Sequence, residues 1–273
     1  MRYLLAITVL LAAACSSKSS RPSDRKLRVA AAADLAHALP EIATRFKART
    51  GITVEPEFGS SGLLAKQIEQ GAPFALFAAA NREFVDQVVK AGKCDGATAR
   101  SYARGRLVVW TPASIAPPTQ LSDLTDPRFR KIAIANPAQA PYGRAAKQAL
   151  EKAGVWPQIE DRIVLGENIQ ATMTYAVKGN VDAALVALSL ASVTEGGSSL
   201  PVDPSLHAPL DQAMVVCANG EDADAAKQFE DFIGSPEGHE IMTHFGFTLP
   251  GTDAPGPPTA PAAPPPTGSA RTP

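Results

Sequence analysis

The sequence predicts an α/β protein of two lobes, each a mostly parallel sheet flanked by helices, arranged around a shared cleft. Three observations predict it. Apolar runs of strand length alternate with amphipathic runs of helix length from about Leu27 to Pro250. A proline-rich stretch, Ala113–Asp126, interrupts that alternation, and the same pattern then restarts. Four of the strand runs also lead through a tight turn with a small polar residue straight into a helix start.

The elements follow in order. Leu27–Ala33 reads as the first strand. Leu39–Arg49 then places Leu39, Ile42, Ala43 and Phe46 on one helical face and stops at Gly51. Thr53–Phe58 is a strand, Leu63–Gln70 a helix ending at Gly71, and Glu83–Ala91 a helix carrying Phe84, Val85, Val88 and Val89. Leu107–Trp110 is a buried-type strand halted by Pro112. After the interruption, Lys131–Ala135 is a strand, Arg144–Ala153 a helix, Ile163–Leu165 a strand, Ala171–Lys178 a helix, and Ala183–Leu188 a strand. Ala213–Cys217 is a further strand, and Ala223–Ile233 and Glu237–Phe245 are the last helices. The chain's end is expected to return to the first lobe, which then comprises 27–106 and 209–250, with 107–208 forming the second.

The ends differ from the middle. Arg2 precedes the apolar run Leu4–Leu11, too short to span a bilayer as a mature helix, and then Ala12, Ala13, Ala14 and Cys15. Small residues ending at a cysteine resemble a bacterial lipoprotein signal, with residues 1–14 removed and lipid on the Cys15 sulfur. A plain secretory signal cut near Ala14 is the alternative, leaving the protein free in the periplasm. Either implies export, to the periplasm or the outer face of a membrane, with residues 15–26 as a polar tether. At the other end, residues 251–273 hold a third of the chain's 24 prolines and almost no apolar side chain, so they are expected to be disordered. Two cysteines remain, Cys94 and Cys217. They could pair in an oxidising compartment, or Cys217 could be a small buried hydrophobe in its strand.

With 273 residues, 45% hydrophobic and 19% charged, and a net charge of −1, the chain has no basic stripe to neutralise phosphates, which argues against nucleic acid as a partner. A small anion needs no such charge. Each strand-to-helix junction exposes unpaired backbone N–H groups and the positive end of a helix dipole. Several such junctions on one cleft make an anion site without arginine or metal. The four junctions lead to Asp34, Ser61, Tyr142 and Asn168. Catalysis finds little support: His239 and His244 stand five apart and cannot share a metal on one helix face, and Gly59-Ser60-Ser61-Gly62 lacks nucleophile-elbow spacing. No Cys/His spacing suggests a bare metal ion, and no cofactor is implied.

Ala30–Ala38 (AAAADLAHA), Phe58–Pro73 (FGSSGLLAKQIEQGAP), Ile134–Ala146 (IANPAQAPYGRAA), Gly166–Gln170 (GENIQ) and Phe245–Thr248 (FGFT) together resemble, in order, the molybdate-binding proteins of ABC transporters. The resemblance implies the type II periplasmic-binding-protein fold, two lobes joined by crossing strands. It implies a monomeric binder of molybdate or tungstate that delivers its ligand to a membrane permease, not an enzyme. Molybdenum enters only within the oxyanion, held by neutral donors. Carried over position by position, the oxyanion site falls at Ala33 and Asp34, at Ser61, at Tyr142 and at the backbone N–H of Ile169.

Each position also has a structural role open to it. Ser61 suits a helix N-cap, with Ser60 forming the turn. An ionised Asp34 about 4 Å from a unit anion would cost about 4 kcal/mol at an effective dielectric near 20, and a dianion about twice that. Its side chain is therefore expected to cap the helix that follows, leaving its backbone N–H for the anion. Tyr142 could reach across the cleft, and Asn168 suits the N-cap of its helix. Ser189 and Arg144, the one cation beside a candidate turn, are weaker candidates. The chain departs from the family at Ala33, where a Ser or Thr hydroxyl is usual, and at Ala75, Ala79 and Asn81, where the family has Asp, Ser and Asp. Those losses keep two alternatives open: another oxyanion such as sulfate or a phosphonate, or a ligand-free envelope lipoprotein acting as sensor or adaptor.

Overall fold

A computed structural model describes residues 26–218 and 220–251. The proposed leader, Cys15, most of the tether and nearly all of the proline-rich tail lie outside the described residues. The first run of elements is β1 (Lys26–Ala32), α1 (Ala38–Thr50), β2 (Thr53–Gly59), α2 (Ser61–Glu69), β3 (Leu76–Ala79), α3 (Arg82–Lys90) and β4 (Arg100–Arg104). The second is β5 (Leu107–Pro112), β6 (Ile132–Ala135), α4 (Pro141–Lys152), α5 (Trp156–Ile159), β7 (Ile163–Gly166), α6 (Ile169–Val177), β8 (Ala183–Ala187), α7 (Leu188–Ala191) and β9 (Gly197–Pro201). The chain closes with β10 (Asp211–Val216), α8 (Glu221–Ile233) and α9 (Pro236–His244).

These strands form two five-stranded sheets, ordered β2-β1-β3-β10-β4 and β7-β6-β8-β5-β9. One side of each sheet is parallel: β1 pairs with β2 and β3, and β6 with β7 and β8. The remaining pairings are antiparallel, β10 with β3 and β4, and β5 with β8 and β9. Both sheets are therefore mixed. The chain passes between them twice, through Gly105–Arg106 and through residues 202–210. A strand arriving from the other sheet enters from the opposite end and pairs antiparallel.

Local sequence explains most elements. In α1, Ala38, Leu39, Ile42 and Phe46 are buried, and Phe46 packs against Phe229 and Phe232 with ring centroids 5.0 and 5.6 Å apart. The helix stops where Gly51 takes φ 77° and donates its N–H to the Lys47 carbonyl. Asn81 starts α3 by accepting from Glu83 N–H at 2.7 Å, and Asn168 starts α6 by accepting from Ala171 N–H at 2.9 Å.

Three strands escaped the pattern. β3 is only four residues, all buried, and β4 (RSYAR) buries Tyr102 and Ala103 between charges. β9 (GSSLP) is an edge strand made of turn-forming residues, where proline is tolerated.

Cys94 and Cys217 are joined by a disulfide, which decides between the two readings of Cys217. They meet because β10 returns to pair with β3. Cys217 N–H donates to Ala75 O and Asp95 N–H to Val216 O, bringing the loop after α3 to the end of β10. The bridge spans 123 residues, a span for which chain entropy alone predicts about 4–5 kcal/mol of stabilisation.

Candidate functional site

The four junctions singled out in the sequence lie at the carboxyl ends of β1, β2, β6 and β7, all in the parallel halves of the sheets. That is where open α/β sheets place ligands. They converge. Ala33, Asp34, Ser60, Ser61, Tyr142 and Ile169 line one cavity between the two sheets, with Ala80, Ala140 and Pro141 around them. Its free volume is about 10 Å³, close to what one water needs, so a larger group enters only as the walls part.

The walls already touch. Gly62 N–H of α2 donates to Gln139 O, before α4, at 2.9 Å. A Cβ at position 62 would stand 2.9 Å from that same carbonyl, so only glycine allows the approach. Gly105, in the first crossing, lies under the Tyr142 phenol, and any side chain there would overlap the phenolic oxygen. On the rim, Arg144 of α4 pairs with Glu83 of α3 at 2.8 Å.

Asp34 departs from its expected role. It sits in a 3-10 turn, Ala33–Leu35, while α1 begins at Ala38 behind His37 with no side-chain cap. Instead of capping a helix, the Asp34 carboxylate is fully buried at the cavity wall. Its Oδ2 accepts from Tyr142 Oη at 3.0 Å and from Gln212 Nε2. Tyr102 supports the arrangement from behind, donating to Gln212 Oε1 at 2.6 Å. Ser189 Oγ of α7 donates to the Asp34 backbone carbonyl at 2.7 Å. Asp34 Oδ1 has no partner.

Burial pushes the Asp34 carboxyl up to about 6, against the opposing pull of the hydrogen bonds from Gln212 and Tyr142 and of its own backbone N–H. No ion pair among the described residues includes it. Tyr142 and Tyr102 are raised well above the usual phenol value, by burial first and by the Asp34 charge second, so both remain donors.

Ser61 is the first residue of α2, and Ser60 holds the N-cap position without a side-chain bond. This reverses the expected assignment of cap and turn. Ser61 Oγ accepts from Ala80 N–H at 3.0 Å, which leaves the hydroxyl proton free to donate. Ser60 Oγ is buried with no partner. Ile169 opens α6, where its N–H has no acceptor inside the helix.

Arg144 and Ser189 do not line the cavity: the first is held at the rim by Glu83, and the second fixes the Asp34 main chain. Ala75, Ala79 and Asn81 lie outside it too, supporting β3 and the start of α3 next to Ala80. His37 stacks on Phe245 at 6.5 Å, away from Ser61. Among the described residues, no group of three or more His, Cys, Asp or Glu is placed to hold a metal ion.

The sequence profile of bacterial extracellular solute-binding proteins matches residues 27–248, spanning both sheets and every wall of the cavity. The chain belongs to that family. Its role is to bind a solute outside the cytoplasm, which sets it apart from enzymes. The molybdate-binding protein ModA of Rhodobacter capsulatus is 35% identical over 221 residues, covering 80% of this chain and 86% of the relative. A putative ABC transporter substrate-binding lipoprotein of Bacillus subtilis, YvgL, is 31% identical over 253 residues, covering 90% and 96%. Among solved structures, the periplasmic molybdate-binding protein of Azotobacter vinelandii superposes with a TM-score of 0.77 at 28% identity, covering 82% of this chain and 99% of that one. The two-lobed fold expected from the family is the fold observed.

Ser60 on the cavity wall, and Gln212 and Tyr102 behind Asp34, are the residues of this arrangement that residue-by-residue reading missed. Gln212 carried a faint signal as a lone amide beside the apolar run Ala213–Val216. Tyr102 carried none, because its strand lacks an apolar run.

Proposed function

We propose that this solute-binding protein captures a tetrahedral oxyanion, molybdate first and tungstate next, as a monomer, and delivers it to an ABC permease. The lobes 27–106 with 209–250 and 107–208 close on the ligand. Ser61, Tyr142, the Ile169 N–H and the Ala33–Asp34 turn form its surroundings, with Ser60 added to them. One observation carries the reading: helix starts and hydroxyls from both sheets meet in a single buried cavity where no cation is paired. That is the donor set of a neutral oxyanion site. The molybdate-binding relatives supply the identity of the anion. Cys15 would tether the mature protein through lipid, in keeping with the name of the Bacillus subtilis relative.

The test is a melting curve of the protein at pH 6 with molybdate, tungstate, sulfate and phosphate in turn. Ligand at about a thousand times its dissociation constant adds about 4 kcal/mol to the native state, a clear shift. A shift with molybdate and tungstate but not sulfate is the expected result. A shift with sulfate or phosphate alone transfers the site to another oxyanion. No shift with any of them overturns the reading.

A further inference from the structure

The cavity holds a group that a simple anion site does not need. Asp34 brings a fully buried carboxylate to the wall with one oxygen, Oδ1, lacking any partner. An ionised carboxylate only accepts hydrogen bonds, and so does an oxyanion oxygen. An anion that fills the cavity displaces the one water it has room for, and two acceptors then meet directly only with a proton between them.

Every neighbour of Asp34 leaves that requirement in place. Tyr142 from α4 and Gln212 from β10 both donate to Oδ2, and Tyr102 from β4 stands behind Gln212. α7 sends Ser189 to the main-chain carbonyl, and α2 and α6 contribute Ser60, Ser61 and Ile169 to the cavity. The titratable groups around it are thus the Tyr142 phenol in contact and the Tyr102 phenol behind Gln212, and both stay protonated. The nearby cation Arg144 is engaged by Glu83, and the His37 ring lies on Phe245. With Oδ2 occupied twice, the open position for a proton is Oδ1.

Granted the oxyanion reading above, on which this rests, we propose that capture is proton-linked: Asp34 takes one proton from solvent on Oδ1 and donates it as a hydrogen bond to an oxygen of the bound dianion. No bond of the ligand is broken, and the proton returns to solvent on release. Asp34 is then a specificity residue, making the site a proton-gated trap whose affinity rises as the surroundings become acidic.

The experiment is isothermal titration of the full protein with molybdate between pH 5 and 8, in pairs of buffers with different ionisation heats. Wild type is expected to take up about one proton per molybdate at pH 7.5. Its dissociation constant should rise about tenfold per pH unit once Asp34 is ionised in the free protein. Asp34→Asn keeps the size and the acceptor for Tyr142 and removes the charge. It should bind with a nearly flat pH profile and, at pH 8, about tenfold or more tighter than wild type. Asp34→Ser, which removes the charge and shortens the side chain, should flatten the profile as well, and a melting curve of each variant shows that it is folded. Wild-type binding without proton uptake, or an Asp34→Asn profile as steep as wild type, overturns the proposal while leaving the oxyanion reading intact. Absence of binding heat for all three proteins at every pH overturns the oxyanion reading and this proposal with it.

Discussion

The two walls of the cavity are built alike and chemically unlike. Both are carboxyl ends of parallel strands running into helix starts. The wall of the first sheet carries Asp34, Ser60 and Ser61, with a buried carboxylate oxygen and a buried hydroxyl left without partners. The wall of the second carries Pro141, Tyr142 and Ile169, and its one polar side chain reaches over to satisfy Asp34. Unpartnered side-chain atoms of the cavity are thus concentrated on one side, while the other side offers the Ile169 main-chain N–H and acts as a clamp. A buried polar group without a partner costs about 1–3 kcal/mol, so the first wall is held in a state that a ligand can improve.

Removing the charge from the first wall should have the largest effect. In the folded protein the Asp34 carboxyl lies at about 6, against an ordinary value of 3.8. The folded state therefore holds this proton more tightly than the unfolded chain. Stability falls as pH rises between about 4 and 6, and above that range the penalty is complete at about 3 kcal/mol. Urea unfolding without ligand should find Asp34→Asn more stable than wild type by about that amount at pH 7.5, with the gap closing as the pH approaches 4. A constant gap across that range would mean that the carboxylate carries no buried charge in the native state, and the contrast between the walls would lose its main term.

The next effect is on affinity. Ser61 Oγ already accepts from Ala80 N–H, so its proton is the part available to a ligand. Ser61→Ala should weaken molybdate binding by about 1.5–3 kcal/mol, or one to two decades, as measured by titration at pH 6. Unchanged affinity would remove Ser61 from the site and leave Ser60, whose hydroxyl is unengaged, as the hydroxyl donor of that wall.

Sequence reading reached the four junctions because each is a local event, an apolar run followed by a turn and a helix start. It stopped where a residue's role is set by a distant one. Asp34 looked like a helix cap because a carboxylate before a helix usually is one. Its actual partners, Tyr142 and Gln212, stand 108 and 178 residues away. The Cys94–Cys217 bridge was undecided for the same reason, since only the return of β10 beside β3 brings the two sulfurs together. The strands β4 and β9 were illegible because they are held by pairing with β10 and β5, while their own sequences resemble connections.

The smallest effect tests the clamp at its rim. Arg144 and Glu83 join the two walls at 2.8 Å, but their side chains are 34% and 63% exposed. An ion pair in that position is worth about 0.2–1 kcal/mol and is screened by salt. The guanidinium also rests over the Phe84 ring at 5.1 Å, so Arg144 is anchored toward the first wall rather than the cavity. Arg144→Ala should therefore change molybdate affinity by less than about fivefold, with the loss shrinking as salt is added. A loss of several decades that survived high salt would place the positive charge on the ligand itself. The site would then be a cationic one, and the unmet donors of the first wall would no longer explain how the anion is held.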